Sequence, residues 1–171
     1  MVLGMSLQTF TLIHVLISLI GIASGVVVMF GFFTNKRLER WTAVFLATTA
    51  LTSLTGFLFP FKGITPAINL GIISLVVLAI AIVTGYPLHL AWRKTYVITA
   101  CIALYFNVFV LVVQSFEKIP GLRAIAPTQK EPPFAIAQIA VLALFVVLTV
   151  LAVKKFRVEP ASTAKAAVKA V

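Results

Sequence analysis

His14, His89, Cys101 and four glutamates are the side chains of this 171-residue chain best suited to acid–base, thiol or metal chemistry, and the chain has no aspartate. Paired histidines suggest axial haem ligation, because imidazole is a common iron ligand. The spacing here argues against it. On helices that cross a bilayer, His14 falls near one end of the first apolar run and His89 near the opposite end of the third. At 1.5 Å per residue that is a separation on the order of 20 Å, too far for one iron. A haem or quinone site built on either histidine alone is the weakest of the functional readings. Cys101 sits alone inside an apolar run and can form no internal disulfide.

The glutamates are Glu39, Glu117, Glu131 and Glu159, and each lies outside the apolar runs. Coupled transport of protons or sodium places a carboxylate at a helix interface within the membrane, so that class is disfavoured. No HExxH occurs, nor any cluster of cysteines or carboxylates that could hold a catalytic metal. The GIASG stretch around Ser24 has Ile22 where a nucleophile elbow needs glycine two residues before the serine. The expectation is a protein that is not an enzyme, with no cofactor and no metal.

What remains is neutral polarity. His14, Thr52, Thr55, Asn69, Asn107, Gln114 and Gln138 come from five different apolar runs. With an external N-terminus, all seven fall in the outer half of the bilayer or near its middle. One reading is an outward-opening polar pocket. The other is that each hydrogen-bonds to a neighbouring helix, contributing about 0.6 to 2 kcal/mol, and this is the preferred expectation.

The elements that must position these residues are legible from charge placement. Residues 1–35, 41–61, 63–92, 95–116 and 132–153 contain no Lys, Arg, Asp or Glu. A charge at the bilayer centre costs at least a few kcal/mol, and about 20 apolar residues cross the hydrocarbon core. Only 11% of the residues are charged, against about 25% in soluble domains. Mean hydropathy is +1.14, and the runs are continuous, which excludes a β-barrel with its period of two. The predicted fold is an all-α integral membrane protein, a bundle of five transmembrane helices near 9–33, 41–61, 66–92, 95–116 and 134–153. Residues 1–157 form that domain, and 158–171 read as a flexible basic cytoplasmic tail.

Five spans put the termini on opposite sides. With the N-terminus outside, the cytoplasmic segments hold ten cations, including Lys36, Arg37, Arg40, Arg93, Lys94, Lys154, Lys155 and Arg157. The external ones hold Lys62, Lys118, Arg123 and Lys130. The positive-inside rule then gives N-out and C-in, with Trp41 and Trp92 at the inner interface. The first run has no basic residue before Lys36 and reads as a retained helix, not a signal peptide. No Asn-x-Ser/Thr sequon occurs, which fits a bacterial inner membrane. The net charge of +10 is dispersed over helix ends, without a basic stripe and interleaved aromatics, so nucleic acid is not an expected partner.

In lipid, small residues mark packed faces. Gly21 and Gly25 form a GxxxG step in the first span, and Gly71 and Gly85 lie along one side of the third. Pro87 predicts a kink, because it cannot donate to the carbonyl of Val83. The external loop 117–133 carries Pro120, Pro127, Pro132 and Pro133 and is expected to be an irregular cap. Its Lys118, Arg123, Thr128, Gln129, Lys130 and Glu131 are the candidate partner contacts, because stiff exposed loops lose little entropy on binding. The function expected is a non-catalytic accessory or structural subunit in the lipid bilayer, meeting a membrane-protein partner or a second copy of itself. The rival is a passive carrier or channel for an uncharged or lipid-like solute, acting as an oligomer.

Overall fold

The computed structural model describes residues 2–60, 63, 65–86 and 92–157. Helix makes up 82% of it, and no strand occurs among the described residues. Among the described residues six helices follow in order: α1 Leu7–Phe33, α2 Glu39–Gly56, α3 Pro66–Gly85, α4 Arg93–Lys118, α5 Pro120–Ile125 and α6 Pro132–Lys155.

Their ends follow local chemistry. Ser6 caps α1, its hydroxyl accepting from the Thr9 N–H at 3.1 Å. Thr65 caps α3 in the same way, with Pro66 in the first turn, where no N–H is required. At the far end of α1, Asn35 takes φ +56° and the Lys36 N–H reaches back to Gly31 O at 2.8 Å. That is a Schellman closure with asparagine in the left-handed position, which it tolerates better than most residues.

The helices α1, α3, α4 and α6 are long and apolar enough to cross a membrane, so the chain is an integral, multi-pass membrane protein. The fifth expected span differs. Helix α2 ends at Gly56, five residues before the predicted boundary, takes Glu39 and Arg40 into its first turn, and carries six Ser or Thr residues. It is too polar to qualify by composition. The proline-rich loop also departs from expectation. Pro120 opens α5, and Pro132 and Pro133 open α6. Proline stops a helix only in its interior, and at the first turn its fixed φ starts one. The predicted kink at Pro87, His89 and the tail 158–171 lie outside the described residues.

Successive long helices run in alternating directions. At one end Phe10 meets Phe59 at 5.0 Å between ring centroids, and Phe116 meets Phe134 at 5.4 Å. At the other, Phe32 stands edge-on to both Tyr96 and Phe156. Helix α4 is the centre, packing against α1, α3, α5 and α6. It buries Tyr96, Val97, Ala100, Cys101, Ala103 and Leu104 against Phe32, Phe45, Leu46 and Leu78. Helix α6 is peripheral, with only Phe145 and Ala152 buried. Its Ile136, Ile139, Val146 and Val147 are exposed, as lipid-facing residues must be.

The glycines sit where helices approach closely. A Cβ on Gly25 would lie 2.6 Å from Leu104 Cδ1 and 2.9 Å from the Phe45 ring, and one on Gly21 would lie 3.2 Å from Thr48 Oγ1. A Cβ on Gly71 would lie 2.9 Å from the Phe57 ring, and one on Gly85 2.8 Å from the Tyr96 ring.

Candidate functional site

The polar residues within the helices are distributed over several interhelical contacts. At the α1–α2 interface His14 Nδ1 lies 2.8 Å from Thr55 Oγ1. The Thr55 hydroxyl also reaches its own helix at Leu51 O, 2.7 Å away. Phe59 stands edge-on to the imidazole at 5.1 Å. Deeper in the bundle, the Asn107 amide donates to Thr49 Oγ1 at 3.0 Å, joining α4 to α2 beside the bare backbone of Gly21. Ser53 and Ser74 join α2 to α3 at 3.2 Å. Gln138 Nε2 donates to Phe109 O at 3.3 Å, joining α6 to α4, while its Oε1 is buried without a hydrogen-bond partner. Thr52 bonds back to Thr48 O within α2.

His14 and Thr55 are therefore brought together, and Asn107 is tied to a different partner. Asn69 and Gln114 are exposed. None of the seven lines the cavity of about 470 Å³ beside the end of α4 or the one of about 410 Å³ at its start. Thr49 and Ser74, the partners that complete two of these contacts, belong to the small-residue faces of α2 and α3. Periodicity marks such a face, but not which hydroxyl meets which amide.

The Asn107–Thr49 bond sets a prediction. In a double-mutant cycle, Asn107→Leu and Thr49→Val should show a coupling of about 0.6 to 1.7 kcal/mol in thermal or denaturant unfolding. Additive effects would mean that the two side chains do not hold each other.

The proline-rich segment between α4 and α6 is built more tightly than a loop. Gln129, at φ +58°, turns its amide to donate to Val113 O at 3.0 Å, pinning the turn to the end of α4. Ala126 is buried beneath it. Glu131 Oε1 accepts from the Thr128 N–H at 3.2 Å and the Thr128 hydroxyl at 2.8 Å, and Oε2 accepts from the Lys130 N–H at 3.0 Å. The larger cavity opens beside this turn, lined by Phe116, Glu117, Lys118, Arg123, Pro127, Thr128 and Gln129. Four of the six expected contact residues, Lys118, Arg123, Thr128 and Gln129, thus share it, while Lys130 and Glu131 stand outside. Phe116, Glu117 and Pro127 were not anticipated, although Phe116 marks the predicted end of its span. Lys118 pairs with Glu117 at 3.3 Å, and the side chains of Ile119 and Ile125 are about half exposed on either side of Arg123.

Desolvation is the largest single influence and raises the Glu131 carboxyl, but hydrogen bonds from the Thr128 hydroxyl and from the Glu131, Thr128 and Lys130 amides together outweigh it and hold the group below its ordinary value. The ionised form is the one that orders the turn. Its contribution is present above the ordinary carboxylate range and is lost as pH falls through the lowered value. Amide exchange at Thr128 and Lys130, corrected for intrinsic rate, should therefore stay slow from neutral pH into the mildly acidic range and quicken below it. Glu131→Ala should exchange fast throughout. Equal protection in variant and wild type would remove the carboxylate from this role.

Among the described residues no group of three or more His, Cys, Asp or Glu could hold a metal. What the assembled polar groups can do is hold helices together within the membrane and hold a shaped, basic-rimmed turn at one end. Comparison with protein-family models, with curated proteins and with solved structures finds no match to this chain.

Proposed function

We propose that the chain is a non-catalytic accessory or structural subunit of a membrane assembly, bound to its partner through the external segment that contains α5. The observation that carries this reading is the contrast between the two regions. Within the helices, His14, Asn107, Ser53 and Gln138 each make a hydrogen bond to a neighbouring helix. The external turn, by comparison, is ordered by Gln129 and Glu131 and yet presents Ile119, Ile125 and Arg123 outward. An ordered surface with exposed apolar side chains around a cation binds at low conformational cost.

In this reading α2 is a fifth span. At 1.5 Å per residue its 18 residues cover about 27 Å, close to the hydrocarbon thickness. Its hydroxyls bond to carbonyls one turn back or to neighbouring helices, which lowers the cost of placing them in lipid. The end that holds Lys36, Arg37, Arg40, Arg93, Lys94, Lys154, Lys155 and Arg157 faces the cytoplasm, and the end with Lys118, Arg123 and Lys130 faces outward. The membrane is the inner membrane of a bacterium.

The test is purification from native membranes in mild detergent, comparing wild type with Ile125→Asp and Arg123→Glu. A partner retained at fixed stoichiometry by wild type and shed by both variants supports the reading. A partner-free homo-oligomer that passes an uncharged solute through vesicles, and loses that flux in Asn107→Leu, would replace it with the carrier.

A further inference from the structure

A second concentration of charge lies at the other end, where two segments more than a hundred residues apart are tied together. Asn35, the residue that closes α1, accepts a hydrogen bond through Oδ1 from the Arg157 N–H at 2.6 Å. Immediately before it, Phe156 is 1% exposed and packs on Phe32 with ring centroids 5.0 Å apart. The two contacts dock the end of α6 on the end of α1. They bring Lys36 to the same corner as Lys154, Lys155 and Arg157, and all four residues are exposed.

Neither segment contains an acid. The acids nearest in sequence are Glu159, two residues after Arg157 and outside the described residues, and Glu39, which faces Arg37 at 3.6 Å, while Arg37 itself donates to Gly85 O. Among the described residues no carboxylate pairs with any of the four cations at the junction. The external end differs in kind: Lys118 has Glu117, and the turn there contains a second carboxylate in Glu131. The junction begins where α1 and α6 lose their apolar character, so it lies at headgroup depth. Cations at helix C-termini are favoured by the helix dipole alone, but that would require neither their convergence from two helices nor the Asn35 tie.

We propose that this junction is a binding site for the phosphodiester headgroup of an anionic phospholipid in the leaflet at that end. Basic pockets between transmembrane helices bind such headgroups, and each basic residue near the surface adds to the attraction. Lys36, Lys154 and Lys155 supply mobile ammonium donors, and Arg157 a planar guanidinium suited to two phosphate oxygens.

The experiment is native mass spectrometry of the full chain in mild detergent, titrated with phosphatidylglycerol or phosphatidylcholine of identical acyl chains. Wild type should retain phosphatidylglycerol by roughly tenfold or more over phosphatidylcholine. The triple variant Lys36→Gln, Lys154→Gln and Lys155→Gln should lose that preference. A matched triple at the other end, Lys118→Gln, Arg123→Gln and Lys130→Gln, should keep it. Asn35→Gly keeps every charge and permits the left-handed turn but removes the acceptor for Arg157, and it should weaken retention several-fold. This variant also decides the matter if the inner triple does not fold. Equal retention of the two lipids by wild type, equal loss in both triples, or an unaltered preference in Asn35→Gly would each overturn the site.

Discussion

Gly25→Val should lower the stability of the detergent-solubilised protein by about 1 to 3 kcal/mol, the range for overpacking a close-packed interior. The cause is local. The first added carbon meets Leu104 Cδ1 at 2.6 Å and two carbons of the Phe45 ring at 2.9 Å. Leu104 is 2% exposed and the Phe45 ring 1%, so neither has free volume to enter. Relief therefore requires α1 to withdraw from α2 and α4, and with it Gly21 from the Asn107–Thr49 bond. Two comparisons separate crowding from other causes. Gly25→Ala should cost less, and adding Leu104→Ala to it should recover part of the loss. A valine variant that melts with wild type would mean that the three helices do not meet at this point.

The second large effect belongs to Arg37. Its Nη2 donates to Gly85 O at 2.9 Å, its guanidinium lies 5.5 Å from the centre of the Tyr86 ring, and its Nε stands 3.6 Å from Glu39. One side chain thus links the α1–α2 connection to the C-terminus of α3, where carbonyls lack partners and a cation is favoured. Arg37→Met should cost about 1.5 to 3 kcal/mol, mostly from the charged hydrogen bond. The glutamate adds little, because its side chain is 71% exposed. Arg37→Lys should recover only part, since an ammonium cannot meet carbonyl and ring with one planar group. Denaturant unfolding that leaves Arg37→Met unchanged would reduce these contacts to surface decoration.

Arg37 also shows what a sequence does and does not disclose. Its place in a gap between apolar runs, and so at a membrane interface, follows from the cost of burying charge. Its partner, a backbone carbonyl 48 residues away, has no signature in residue type. The four apolar helices were legible for the same reason as the charge gaps. Helix α2 was not fully so, because an absence of charge over 41–61 says nothing of six hydroxyls or of an early stop at Gly56. In the segment between α4 and α6 the position of the prolines matters more than their number: Pro120 and Pro132 stand at helix starts. Of the polar residues, Asn107 could be placed on a packed face by its spacing from Ala100 and Ala103. Gln114 and Asn69 have equally polar side chains and emerge exposed, since one helix carries both kinds of face and hydropathy does not distinguish them.

The central position of α4 bears on how the chain is made. During synthesis α1, α2 and α3 leave the ribosome first, and the contacts open to them are those of α1 with α2 and α2 with α3. Val28, Phe45 and Leu78 then have no common surface to close on, because Val97, Ala100 and Leu104 are still untranslated. A nascent chain stalled after Gly85 should therefore hold the α1–α2 pair but lack the face on which the rest of the core closes. Release of α4 into the bilayer is the step that turns insertion into tertiary structure, and α6 then docks on a core already formed.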